Sequence, residues 1–401
     1  MDMTQLAAAV REAGCDAWVM FDFRHSNATA WKVLEVPFDA HCTRRWTVVV
    51  RADGVVRKLV HVMEQAPLEH VTAETILYGT REEWESGLRA ALTNCGTVAM
   101  EYSPMGELPA VSCVDAGTID LVRSLGCTVV SAADLAQRFT AVLTEWQIEE
   151  NRRTAQALRR SVMEAFRVVT KAIQERGEIS EYDVQQELLA RLEHEQLRTD
   201  SPPIVAIGPN AASPHYAPTR NESSMIRSGM TVLIDAWARG MHADSVFADI
   251  TWVGFTGTTV PEDIALRFDV LVQARNAAVD VCRERFAGGQ HVRGFELDDA
   301  CRRVVDAAGF GHWFIHRTGH NITTVVHGPG ANLDNYETHD TRCILPGTSF
   351  SVEPGIYEPG VLGLRTELDV VVSSAGEVLV PSEPIQTHII PLLSPEWIAT
   401  T

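Results

Sequence analysis

The sequence lacks any uninterrupted apolar run approaching ~20 residues, the length a membrane-spanning helix needs. Its first residues, MDMTQLAAAVREAG, also lack the hydrophobic centre of a secretory signal. These absences predict a cytoplasmic protein with no membrane partner. No CxxC pair or metal-type spacing joins the eight cysteines at positions 15, 42, 95, 113, 127, 282, 301 and 343. A disulfide scaffold and a thiolate zinc site are thus excluded, and the cysteines read as reduced, mostly buried thiols. Basic residues are too few to favour nucleic acid: 34 Lys and Arg stand against 53 Asp and Glu, a net charge of −19. What is present is a 45% apolar, 22% charged chain of 401 residues, enough for two domains with their own cores.

The first 142 residues read as an alternating α/β module, 1–142. Residues 4–13 have helical periodicity, and AWVMFD (17–22) reads as a buried strand. Two further runs, 46–50 and 55–61, flank Ala-Asp-Gly as a hairpin. Strands at 98–102 and 128–131 enclose a helix at 118–125 that Gly126 ends. This module carries no dense polar cluster. Thr144-Glu145-Trp146-Gln147 is a capping box that opens a long amphipathic helix, which sets a second domain at 143–401. There helices and hairpin strands come in two rounds, so the expected class is α+β.

The two rounds carry matching carboxylates. Gly229 leads into Asp235 six residues on, and Asp249 lies fourteen beyond that. Gly347 leads into Glu353 six residues on, and Glu367 lies fourteen beyond that. The offset is 118 in both cases (235 to 353, 249 to 367), which predicts an internal duplication with an acid at each strand end. A pseudo-twofold axis relating the halves would bring the four acids together. Four carboxylates sharing a buried site repel one another unless cations lie between them. The sequence therefore asks for a metal centre, of two ions.

Histidines lie beside these acids: His215 in SPHY, His316 and His320 in HRTGH, and His327 seven residues later. Carboxylates with one imidazole suit a moderately hard divalent ion, Mn²⁺ first, with Co²⁺, Zn²⁺ or Fe²⁺ as alternatives. Two such ions can clamp a water, lower its pKa and polarise a scissile carbonyl.

Asp235, Asp249, His320 within HRTGH, Glu353 within SVEPGIY and Glu367 within LRTELDV together resemble the ligand set of the M24 metallopeptidases. These are the "pita-bread" enzymes, among them methionine aminopeptidase, aminopeptidase P and prolidase. The resemblance spans the chain. It includes EYSPM (101–105), DAGTIDLVRSLG (115–126), VFADITWVG (246–254) and HGPGANLDNYETHD (327–340), which are most similar to small bacterial Xaa-Pro dipeptidases. It implies a pita-bread catalytic domain behind a creatinase-like α/β domain, a homodimer, and a small peptide as substrate. It further implies that Asp249 and Glu367 bridge two ions, that Asp235 completes one, and that His320 and Glu353 complete the other. Glu353 would double as general base for the bridging water. His327 would hold substrate near the scissile amide, and His215 would stabilise the tetrahedral intermediate or help the leaving nitrogen. Arg365 would orient Glu367, His316 would line the site, and His339 would lie near the substrate's terminal carboxylate.

Two departures stand out. The first acid pair is spaced by fourteen where the family usually has eleven, which should reshape one cavity wall. After His320 the family's Gly-X-Gly is replaced by Asn321-Ile322-Thr323, whose bulk is expected beside the scissile bond. Rival readings are a lyase on the same metal cage, acting on dimethylsulfoniopropionate, another M24 hydrolase with an altered substrate, and a non-enzymatic binding protein. Retention of all five ligands with His215 and His327 favours the peptidase.

Overall fold

The computed structural model describes residues 2–400, and the chain divides into two compact units, Met1–Thr140 and Ala141–Thr401. The sequence placed the domain boundary between residues 142 and 143.

The first unit runs α1 (Met3–Glu12), β1 (Ala17–Asp22), α2 (Ala28–Val33), β2 (Trp46–Arg51), β3 (Val56–His61), β4 (Glu74–Tyr78), α3 (Arg81–Ala91), β5 (Thr97–Met100), α4 (Ala116–Ser124), β6 (Thr128–Ser131) and α5 (Ala133–Thr140). Its six strands form one sheet in the order β4-β3-β2-β1-β5-β6. β1 sits inside that sheet, antiparallel to β2 and parallel to β5, and all six of its residues are buried. Trp18 and Met20 face one core with Leu6 of α1 and Trp31 of α2. Val19 and Phe21 face another with Trp84 of α3 and Ile119 of α4. A strand apolar on both faces is what a sheet covered by helices on both sides requires.

Two buried carboxylates, Asp22 and Glu101, interrupt this apolar unit. Glu101 is 3% exposed and accepts hydrogen bonds from Trp18 Nε1 (2.6 Å) and Asn27 Nδ2 (2.8 Å). Burial outweighs those bonds and pushes its carboxyl from an ordinary 4.5 to about 7. Between those values the folded unit holds a proton that the unfolded chain has released, so stability falls as pH rises through that window. At about 1.4 kcal/mol per unit this amounts to about 3 kcal/mol. Thermal melts from pH 4.5 to 8 should show wild type losing stability toward neutral pH, with a smaller slope in Glu101→Gln.

In the second unit Thr144 caps α6 (Glu145–Arg176) in a capping box with Gln147, and Gly177, at φ 81°, ends it. β7 (Glu178–Ser180), α7 (Glu181–His194), β8 (Leu197–Arg198), β9 (Ile204–Ile207), α8 (Gly208–Ala211) and β10 (Met225–Arg227) lead to a hairpin of β11 (Thr231–Gly240) and β12 (Ala248–Phe255). After α9 (Glu262–Ala287), α10 (Gly294–Ala307) and β13 (Asn321–Ile322) come β14 (Ser349–Val352), β15 (Gly355–Glu358), β16 (Leu362–Arg365) and β17 (Leu368–Val372). One core packs α6 and α7 on β11–β12, and the other packs α9 and α10 on β14 and β17. Each round is thus a helical layer on a hairpin. The two hairpins meet where Glu367 N donates to Thr251 O (3.2 Å) and Asp249 N donates to Asp369 Oδ2 (2.8 Å).

None of the eight cysteines forms a disulfide. Burial pushes the thiols of Cys282 and Cys301 up to about 12, which leaves them unreactive near neutral pH. No helix among the described residues is long and apolar enough to cross a membrane.

Candidate metal centre

Antiparallel register decides which side chains share a face. Asp235 pairs with Thr251 and Trp237 with Asp249, so these four residues project to the same side of the hairpin. The spacing of fourteen, against eleven in the family, changes the parity of the interval, and the register still puts both acids on one face. Asp249 sits one residue from the start of β12, at the strand end as expected, whereas Asp235 lies inside β11. In the second hairpin Val352 pairs with Leu368, and beyond a break Gly355 pairs with Arg365. The same register carried through the break sets Glu353 against Glu367. The two acid pairs share their numerical offset but differ in pairing.

All five expected ligands line one cavity of about 600 Å³, together with His215, His316, His327, Trp237, Arg317 and Arg365. Ligand atoms of Asp249, His320 and Glu367 lie within 4.8 Å of one another. His320 Nε2 is 3.8 Å from Asp249 Oδ2 and 3.4 Å from Glu353 Oε1, which Ser351 Oγ also holds at 3.1 Å. The HRTGH segment is pinned by its backbone. Asp298 of α10 accepts from Thr318 N (2.9 Å) and Thr318 Oγ1 (2.6 Å), and a Cβ on Gly319 would overlap the Ser351 carbonyl. The His215 loop hangs from Glu181, which accepts from Ile207 N (2.8 Å), Tyr216 OH (2.6 Å) and Ser224 N (2.8 Å).

The electrostatics of this cluster are strained. Burial raises the carboxyls of Asp249 and Glu367 well above the usual range; next in effect are Glu367 on Asp249 and Glu353 on Glu367. Burial also raises Asp235, partly offset by Arg365. Burial, and then His327, hold His320 well below the ordinary imidazole value, so its ring is neutral and able to donate a lone pair. Asp249 Oδ1 is buried without a hydrogen-bond partner. Unsatisfied carboxylate oxygen, mutual repulsion and a neutral imidazole together fit a divalent cation, which would satisfy all three at once.

Several residues stand differently from expectation. Arg365, expected to orient Glu367, bonds Asp235 Oδ2 instead. It also donates to Tyr357 OH (2.8 Å) and Thr251 Oγ1 (3.0 Å), and Thr251 in turn donates to Glu367 Oε2 (2.7 Å). His316 faces the cavity, but both of its ring nitrogens are engaged, Nδ1 with Arg317 O (2.7 Å) and Nε2 with Tyr357 OH (2.8 Å). Burial pushes it down to about 4, so it serves as a neutral brace. His339 is not among the cavity-lining residues: it is exposed, bonded to Asn335 Oδ1 (2.7 Å) and packed on Phe295. Asn321 does not crowd the cavity. Its side chain turns inward, donating to Ser349 O (2.8 Å) and accepting from Gly330 N (2.8 Å). A Cβ on Gly328 or Gly330 would overlap it, so two later glycines absorb the bulk that Asn321 adds. Thr251, Tyr357 and Arg317 drew no role from the sequence. All three lie within segments quoted above, Thr251 in VFADITWVG, Tyr357 in SVEPGIY and Arg317 in HRTGH, but nothing in those segments singled them out.

The model of metallopeptidase family M24 matches residues 150–374, more than half of the chain. The chain belongs to metallopeptidase family M24. Among M24 relatives it is 30% identical over 278 residues to a probable dipeptidase, PepE, of Mycobacterium tuberculosis, spanning 68% of this chain and 67% of that one. It is 30% identical over 214 residues to an Xaa-Pro dipeptidase of Lactobacillus helveticus, spanning 53% and 52%. The crystal structure of dipeptidase PepE from Mycobacterium ulcerans superimposes with a TM-score of 0.67 at 23% identity, covering 97% of both chains. An X-prolyl aminopeptidase from Caenorhabditis elegans, described as a cytosolic enzyme with a di-nuclear active site, gives 0.64 at 17% identity, covering 99% of this chain and 64% of that one. These likenesses show the M24 pita-bread fold along the chain.

Proposed function

We propose that this M24 peptidase is a metal-dependent Xaa-Pro dipeptidase. The observation that carries the reading is that Asp235, Asp249, His320, Glu353 and Glu367 all face one cavity. The dipeptidase names of its relatives supply the substrate class. Asp235, Asp249, His320, Glu353 and Glu367 would together hold two divalent ions. When bound, such a pair polarises a carbonyl and acidifies water.

The chain's own groups do the rest. Glu353 faces the cavity with Oε1 steadied by Ser351, which leaves its other oxygen to take the proton of the attacking water. His327 stands edge-to-face with His320, ring centroids 4.4 Å apart, where it can hold the carbonyl side of the substrate. His215, an exposed loop residue that lines the cavity, would steady the tetrahedral oxygen or hand a proton to the proline nitrogen as the imide bond breaks. Arg365 and Thr251 fix Asp235 and Glu367 in register. The same reading takes Mn²⁺ as the ion, on the chemistry of the ligand set, a homodimer as the assembly, on the family resemblance, and the cytoplasm as the compartment, as expected from the sequence.

Proline release from a panel of Xaa-Pro dipeptides tests this, using metal-stripped protein reloaded with Mn²⁺, Co²⁺, Zn²⁺ or Fe²⁺. Turnover should require metal and fall by at least roughly 10³-fold in Glu353→Ala, the scale of losing the base. Metal-loaded protein that releases proline from no dipeptide would refute the reading.

A further inference from the structure

Trp237 is a half-buried part of the cavity wall, on the face of β11 that also carries Asp235. Its indole Nε1 donates to Asp200 Oδ1 (3.0 Å). Register brings Asp200 there. β8 and β9 both pair antiparallel with β11, Arg198 against Arg239 and Ile204 against Asp235, so residues 199–203 run past Trp237. Pro202 and Pro203 stiffen that stretch, and Thr199 Oγ1 donates across it to Ser201 O (2.8 Å). Asp200 is exposed and forms no ion pair among the described residues. Its charge acts on Arg239, yet that guanidinium is bonded to Ala243 O (2.9 Å) and lies over the Phe247 ring. On the cavity side its charge reaches His327, where it partly offsets the burial that lowers that ring. A carboxylate oriented by an indole and open to water thus stands beside the cavity wall with no cation of its own.

We propose that Asp200, held by Trp237, is a subsite for a cationic side chain on the residue before proline, which makes Lys and Arg the favoured Xaa. This rests on the dipeptidase reading above. Such a dipeptide can carry a cation in two places. Its α-amino nitrogen is two bonds from the scissile carbonyl carbon, which keeps it among the metal-site residues. A lysine ammonium is six bonds from that carbon, at the end of a flexible stem, and reaches past the cavity wall. Asp200 borders Trp237 but is not itself a lining residue, so the longer arm meets it and the shorter does not. The indole suits that arm as well. Methylenes pack on an apolar surface while the charged head stays at the water, and a cation over a tryptophan face is attracted to it. Proline carries no side-chain charge, so only Xaa can use the site.

Kinetics of Mn²⁺-loaded protein on Lys-Pro, norleucyl-Pro (the lysine stem without its ammonium) and Glu-Pro tests the assignment in wild type, Asp200→Asn and Asp200→Lys. Wild type should favour Lys-Pro over norleucyl-Pro roughly 3- to 30-fold in kcat/KM, mostly through KM, the combined scale of an exposed ion pair and a cation on an indole face. Glu-Pro should be the poorest of the three. In Asp200→Asn the ratio of Lys-Pro to norleucyl-Pro should fall toward one, and in Asp200→Lys Glu-Pro should overtake Lys-Pro. An aspartate that receives the α-ammonium, or that merely supports its loop, would change all three substrates alike when replaced. That result overturns the proposal, as does a wild type that cleaves Lys-Pro and norleucyl-Pro equally well, or a folded variant that keeps the wild-type ratio. Because the wild-type comparison needs no variant, misfolding cannot rescue it. Wild type that cleaves none of the three fails at the dipeptidase reading, and this inference falls with it.

Discussion

Glu367→Gln should melt at a higher temperature than wild type in the presence of a chelator, and gain nothing from added Mn²⁺. Without a cation, Asp249, Glu353 and Glu367 crowd one another in a buried site, and the raised carboxyls of Asp249 and Glu367 record that repulsion. An uncharged amide at 367 relieves it, and its oxygen can still accept from Thr251 Oγ1, now 2.7 Å from Glu367 Oε2. Relief of one buried like-charge contact is worth about 1–3 kcal/mol, a rise of several degrees for a unit of this size. With metal present the order reverses. Wild type gains stability in proportion to ion binding, while the variant has lost a ligand expected to touch both ions. Activity should be abolished. Melting curves with chelator and with Mn²⁺ check both arms. A variant less stable than wild type in chelator would mean that the cluster is not strained by its own charge.

Arg365→Met should have the opposite effect on the metal-free protein. Arg365 is 3% exposed and is the cation that offsets burial at Asp235. Removing it leaves a buried carboxylate without its partner, and Thr251 and Tyr357 without a common donor. Losses of about 3–5 kcal/mol are typical when one member of a buried pair is removed. The melting temperature should therefore drop by roughly ten degrees. Adding Asp235→Asn should restore much of the stability and none of the activity, because the second change removes the stranded charge together with a proposed ligand. Thermal melts of the two single variants and the double variant give the coupling directly. A double variant no more stable than Arg365→Met would show that Arg365 acts through packing and not through Asp235.

The acids were legible because their constraint is one-dimensional. The repeated spacings can be read off the chain, but the face that Asp235 and Asp249 share is set by the register of β11 on β12. His320 stood out through its glycine-bounded segment, and Gly319 does press against the Ser351 carbonyl. Side-chain direction in loops has no such rule. Asn321 turns inward because Gly328 and Gly330, seven and nine residues later, leave room for its amide, a pairing that no local spacing announces. His339 was expected near the substrate's terminal carboxylate on the family resemblance alone, yet Asn335 and Phe295 hold it outside. Arg365 stands two residues from Glu367, but its hairpin turns it across to Asp235 on the other half of the unit. That contact depends on how the two hairpins meet, which the numerical offset of 118 did not contain.

The measurement that bears most directly on the metal centre is calorimetric titration of Mn²⁺ into the stripped 401-residue chain, with proline release from Ala-Pro followed at each addition. The expected result is two ions per chain in wild type, activity rising with occupancy, and loss of both in Asp249→Ala. A chain that binds no ion tightly, or an Asp249→Ala variant that binds and turns over like wild type, would contradict it.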